Sequence, residues 1–145
     1  MEWRFRTSEA EKISLHDHNI TERIFEEDIT LIFGNGFDIC KECELNQTGR
    51  HKQTGKAAVI LKKGRFFSGK LLDQDVKAIS QDELLNWRLV VLSFERLPDS
   101  MIFEFDAVEE NGKFAGICEV EFTCGDVLFC WNEFTCDAWF QDWPK

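Results

Sequence analysis

Tyrosine is missing from this chain, proline occurs twice and glycine nine times in 145 residues. So little proline and glycine excludes a linker or a collagen-like repeat. No apolar run approaches the roughly 20 residues of a membrane-crossing helix, so no membrane association is expected. The opening Met1-Glu2-Trp3-Arg4-Phe5-Arg6 lacks the apolar stretch of a secretory leader, which points to a cytoplasmic protein with reduced thiols. Catalytic signatures are also missing, with neither a Gly-x-Ser-x-Gly elbow nor a His-Glu-x-x-His helix. Gly49 to Lys56 fails as a phosphate loop: five residues rather than four separate Gly49 from Gly55, and Ala57 replaces the metal-binding hydroxyl. These absences make a binding protein the expected class, ahead of an enzyme.

Positive charge is scarce and unevenly placed. The net charge is −10, yet residues 1–72 hold 12 bases against 11 acids, and residues 73–145 hold 5 against 16. Lys41 to Lys70 carries eight bases and two acids; Asp99 to Asp142 carries eleven acids and only Lys113 as a base. If these segments occupy different faces, one side of the molecule is strongly acidic, repels nucleic acid and attracts basic proteins. A basic patch at Arg50, Lys52, Lys56, Lys62, Lys63 and Arg65, with Phe66 and Phe67 for stacking, is opposed by that overall charge, so no nucleic-acid partner is expected.

With 43% apolar and 30% charged residues, the chain can build a core, and its length suits one domain over residues 1–145. The dominant periodicity is two, which signals strands. Met101, Phe103, Phe105 and Ala107 alternate with Glu104 and Asp106. Cys118 falls in step with Phe114, Val120 and Phe122, where it reads as a small core residue. Ala57 to Leu61 and Leu89 to Leu92 are continuous apolar runs that suit central strands. Asn35-Gly36 and Asn111-Gly112 each sit between strand-like runs and predict hairpins. Cys124-Gly125-Asp126 predicts a further turn, making the segments from Met101 to Phe134 a meander. Ser80-Gln81-Asp82-Glu83 is a capping box, flanked by Ile79 and Leu84 as a hydrophobic staple. Leu45 to Gly55 is the best loop candidate, being apolar only at its first residue. The expected fold is mainly β, about eight or nine strands in a two-sheet antiparallel sandwich or partly open barrel, with one short helix near residues 81–87.

Two constellations suggest chemistry. Cys40-Lys41-Glu42-Cys43 has the spacing of a zinc knuckle, although no second such pair follows. His16 and His18 would point the same way on a strand and begin a metal site, to be completed by His51 or by Cys40 and Cys43. Cysteines 118, 124, 130 and 136 recur every six residues, which a straight strand would keep on one face. The other candidate surface combines Glu104, Asp106, Glu109, Glu110, Glu119 and Glu121 with Trp139 and Trp143 as aromatic anchors.

Leu15-His16-Asp17-His18-Asn19-Ile20, followed by Ile29 to Phe33, Asn35-Gly36-Phe37 and the closing Trp131-Asn132-Glu133-Phe134 and Ala138-Trp139-Phe140, is similar to a loose group of small bacterial β-rich proteins, some of them immunity-protein-like. That resemblance implies a cytoplasmic β domain that inhibits a basic partner, and it implies no catalytic residue. The expected function is therefore an acidic, immunity-like binding protein. The alternatives are a zinc-binding domain or metal enzyme using His16, His18, Cys40 and Cys43, and a small-molecule carrier with its ligand between sheets.

Overall fold

The computed structural model describes residues 2–73 and 75–143. Its first strands are β1 (Phe5–Thr7), β2 (Ile13–Ser14), β3 (Asn19–Ile20), β4 (Glu22–Phe25), β5 (Ile29–Phe33), β6 (Asp38–Ile39), β7 (Lys52–Thr54) and β8 (Ala57–Leu61). Then come β9 (Arg65–Leu72), β10 (Lys77–Ala78), the helix α1 (Gln81–Asn86), β11 (Arg88–Leu97), β12 (Ser100–Val108), β13 (Phe114–Thr123), β14 (Val127–Trp131) and β15 (Phe134–Asp137). They form a five-stranded sheet, β1-β14-β8-β5-β4, a six-stranded sheet, β10-β9-β13-β12-β11-β3, and a four-stranded sheet, β15-β7-β6-β2. The fold is mainly β and antiparallel, and no sheet closes into a barrel. The strands outnumber the eight or nine read from the sequence because six span only two or three residues. Such stubs are too short to show a period.

Alternation accounts for the six-stranded sheet. Met101, Phe103, Phe105 and Ala107 turn inward and are buried, as are Cys118, Val120 and Phe122 on the neighbouring strand. Across the core, the five-stranded sheet presents Ile29, Leu31 and Phe33, Ala57, Val59 and Leu61, and Val127, Phe129 and Trp131. The two layers meet through rings: Phe94 lies 5.9 Å from Phe129 and Phe25 lies 6.3 Å from Phe122. Phe103 stacks on Phe105 at 5.1 Å and takes Phe122 edge-on at 6.0 Å. Each buried phenylalanine contributes about 2–3 kcal/mol of apolar burial, and the ring geometries add to it. Ala57–Leu61 is indeed central, between β14 and β5.

The capping box forms as read. Ser80 Oγ accepts from the Glu83 amide, the Glu83 carboxylate accepts from Ser80, and Ile79 and Leu84 are both buried beside the core. Asn111-Gly112 closes the β12–β13 hairpin, with Gly112 at φ +89°.

Five expectations are corrected. Asn35-Gly36 does not make a hairpin: β5 belongs to the five-stranded sheet and β6 to the four-stranded one. Gly36 is nonetheless required, because it sits at φ +79° and a Cβ there would lie 2.3 Å from the Thr54 carbonyl. Likewise Cys124-Gly125-Asp126 carries the chain from β13 in one sheet to β14 in the other, so the last segments are a sheet crossing rather than a meander. Leu89 to Leu92 is fully buried on one face only, through Leu89 and Val91, because the core lies on that single face of the six-stranded sheet. Phe114 leaves the core face and is 59% exposed, since a register shift opposite Ala107 and Val108 skips Ala115 and breaks the alternation. The segment from Leu45 to Gly55 is a loop only in part. It ends in β7, and Asn46 is buried at its start, donating from Nδ2 to the carbonyls of Ile39, Cys40 and Arg50 and accepting from Thr48.

Candidate functional site

The period that buries Phe103 and Val120 forces their neighbours outward. In the β12–β13 register Glu104 stands opposite Glu119, Ile102 opposite Glu121, and Asp106 opposite Ile117. On the flanks Glu95 pairs in register with Ile102, Glu119 with Lys70, and Ile117 with Leu72. One open sheet face thus carries Glu95, Glu104, Asp106, Glu119 and Glu121 interleaved with Ile102, Ile117 and Leu72, with Lys70 as a base at its β9 flank. A shallow 400 Å³ depression is bounded by Ser93, Glu95, Ile102, Glu104 and Glu119. Like charges directly opposite each other are destabilising, so Glu104 and Glu119 oppose folding rather than support it. None of the six acids read from the sequence forms an ion pair among the described residues. Glu109 and Glu110 follow β12 in the hairpin loop and border a separate cleft.

The basic stretch is partly absorbed by local pairing. Arg50 Nη2 and Lys52 Nζ lie 2.8 and 3.0 Å from the Asp137 carboxylate, and the side-chain bonds from Arg50 and then Lys52 hold Asp137 down at about 2. Lys62 pairs with Asp28 at 2.8 Å, and its side-chain bond, helped by the Lys63 amide, lowers the Asp28 pKa. The uneven charge along the chain is therefore reduced at β7 and β15, but not on the outer face of β12 and β13.

Trp139 and Trp143 cluster beside the turn that carries His16. Their rings meet edge-on at 4.9 Å, Trp139 lies 5.8 Å from the His16 ring, and Phe140 lies 5.0 Å from the His51 ring. Ala138 donates to the His51 carbonyl, which ties this terminal turn to β7, while Trp143 remains 64% exposed.

His16 and Asp17 occupy a turn, with Asp17 at φ +64°, so the two histidines do not share a strand face. His16 Nδ1 lies 2.8 Å from the Leu92 carbonyl and His18 Nε2 lies 2.8 Å from Asp38 Oδ2. Cys43 is buried. Cys40 is grouped instead with Glu42 and His51, the donor atoms of the three lying within 4.8 Å of one another. His51 Nδ1 accepts the Lys41 amide at 3.0 Å. Burial first, then the carboxylates of Glu42 and Asp38, pushes the Cys40 thiol up, which works against the thiolate a metal needs. Cysteines 118, 130 and 136 fall in three different sheets, so their even spacing has no structural meaning.

Sequence reasoning missed Glu95, Ile102 and Ile117, whose roles depend on register, and Glu42, which lay within the Cys40–Cys43 motif. No family model, no curated protein and no solved structure matches this chain. The class is therefore set by architecture alone: an all-β protein of three antiparallel sheets, one with an open acidic face. No helix among the described residues is long and apolar enough to cross a membrane.

Proposed function

We propose that this chain is a non-enzymatic binding protein that offers the outer face of its six-stranded sheet to a basic protein, as an immunity-like inhibitor would when it occupies a cationic groove. The observation that carries this reading is the cross-strand register of Glu104 with Glu119. Two like charges are kept side by side, unpaired, beside Glu121, Asp106 and exposed apolar Ile117 and Leu72. A basic partner relieves that repulsion. The carboxylates accelerate its approach and the apolar side chains slow its departure.

The test uses octalysine as a cationic probe of the labelled protein by NMR. Amide shifts should concentrate on Glu104, Asp106, Glu119 and Glu121, and fade as salt rises through physiological strength. The variant Glu104→Gln/Glu119→Gln/Glu121→Gln should lose at least about tenfold in affinity. Shifts centred elsewhere, or unchanged in that variant, would sink the proposal.

A second reading, a zinc-binding domain, is favoured by the grouping of Cys40, Glu42 and His51 within 4.8 Å. Thiolate, carboxylate and imidazole are all zinc donors. Because His51 Nδ1 is already engaged, the ion would take Nε2 or displace the Lys41 amide. Zinc should then raise the melting temperature of the native chain and leave that of Cys40→Ala unchanged; no rise at all counts against a site.

A further inference from the structure

A cleft of 450 Å³ lies where β3, β4 and the end of α1 meet the β12–β13 hairpin, apart from the acidic face on which the proposed function rests. Its lining carries both signs of charge. Arg23 and Arg88 line it together with Glu109 and Glu110, which also border an adjoining 330 Å³ depression. Trp87 and Val108 contribute apolar surface between them.

Arg23 is the informative residue. Its Nη2 donates to the Trp87 carbonyl, while its Nε is buried with no partner. No carboxylate lies within 4.0 Å of it among the described residues. Burial alone lowers its pKa, with no acid acting in the other direction. A half-buried guanidinium normally has a carboxylate or phosphate beside it, because an unpaired charge removed from water costs several kcal/mol or so. In the same cleft Asn19 leaves its buried Oδ1 without a donor. A cation without an anion and an acceptor without a donor therefore line one cavity together with two glutamates.

We propose that this cleft binds a small zwitterion, an α-amino acid or short peptide. Its carboxylate lies against Arg23, and its ammonium lies toward Glu109 and Glu110. Trp87 and Val108 favour an apolar or aromatic side chain. The volume accommodates one such residue or a dipeptide. A bare anion would leave the glutamates repelling it, and a bare cation would leave Arg23 unpaired.

The experiment is an NMR titration of the full chain with L-phenylalanine and glycyl-phenylalanine, against 3-phenylpropionate (no ammonium) and phenethylamine (no carboxylate). A zwitterion should give saturable shifts confined to residues 19–23, 86–88 and 108–112, and bind at least about tenfold more tightly than either half-molecule. Arg23→Gln should abolish that preference. Because Arg23 also ties β4 to the end of α1, that variant can unfold for other reasons. Glu109→Gln/Glu110→Gln, on an exposed hairpin, supplies the second reading: it should weaken the zwitterion and leave or improve 3-phenylpropionate. The proposal fails if no probe gives saturable shifts up to about 10 mM, if either half-molecule binds as well as the zwitterion, or if the glutamine pair leaves the preference intact.

Discussion

His18 and Asp38 stand 2.8 Å apart, Nε2 to Oδ2, with the carboxylate wholly buried and its second oxygen without a partner. The bond joins the His16–Asp17 turn to β6, and the turn is in turn held to β11 by the amides of Asp17 and Val91. Removing the ring leaves a buried carboxylate with nothing to satisfy it. His18→Ala should therefore cost about 2–4 kcal/mol, and Asp38→Asn clearly less, because a neutral amide still bonds the ring. Urea denaturation midpoints of the two variants check the order; a larger loss for Asp38→Asn would contradict it.

Asn46 supports a different part of the fold. Its Nδ2 is shared among three carbonyls, those of Ile39, Cys40 and Arg50, at 3.1, 3.3 and 2.9 Å. Asn46→Asp replaces that donor by an anion facing the same oxygens. It should destabilise by more than about 2 kcal/mol and exceed Asn46→Ala, and it should speed proteolysis within residues 45–51 first. Thermal melts and limited proteolysis would both report it.

Acid should leave the junction between β7 and β15 intact until very low pH. The folded pKa of Asp137 is depressed to about 2 by its bonds to Arg50 and Lys52. A depressed carboxylate contributes stability that is complete above the unfolded value near 3.8 and is lost as pH falls through about 2. All three side chains reach solvent, so the contribution is small and salt-screened. NMR titration of the Asp137 carboxyl carbon should give a midpoint near 2 in the native protein and near the ordinary value in Asp137-bearing variants with Arg50→Gln/Lys52→Gln.

The six thiols should separate by accessibility. Cys136 is exposed and Cys40 half-buried, whereas Cys43, Cys118, Cys124 and Cys130 are buried. Burial pushes Cys118 up to about 12 and Cys130 up to about 11. Iodoacetamide at neutral pH should therefore modify Cys136 first, Cys40 slowly and the other four only on unfolding. The sign at alkaline pH follows: these thiols stay protonated in the folded chain while the unfolded chain ionises above about 9, so stability declines with pH from there toward 12. Peptide mass mapping and alkaline melts test both statements.

Where a signal was local, the sequence revealed it. The capping box at Ser80 and Glu83, the β12–β13 hairpin at Asn111-Gly112 and the central strand Ala57–Leu61 all form as read. Asn35-Gly36 failed because a tight turn specifies a local bend and not the sheet that the following residues join. Phe114 failed because a single skipped residue inverts every face beyond it. Asn46 was invisible because its three acceptors, although all within seven residues of it, converge on its side chain only through the irregular path of the loop.

The sequence by itself determined which residues alternate. Period two commits Phe103 and Val120 to one face and Glu104, Asp106, Glu119 and Glu121 to the other, and the excess of acids after Asp99 makes that second face negative. Only the tertiary structure decided which acids stand side by side, which bases are neutralised at Asp137, and that Arg23 and Asn19 share a cleft with Glu109 and Glu110. Alternation is a property of neighbouring peptide units and survives in a string of letters. Adjacency between strands depends on register and sheet order, which non-local burial decides.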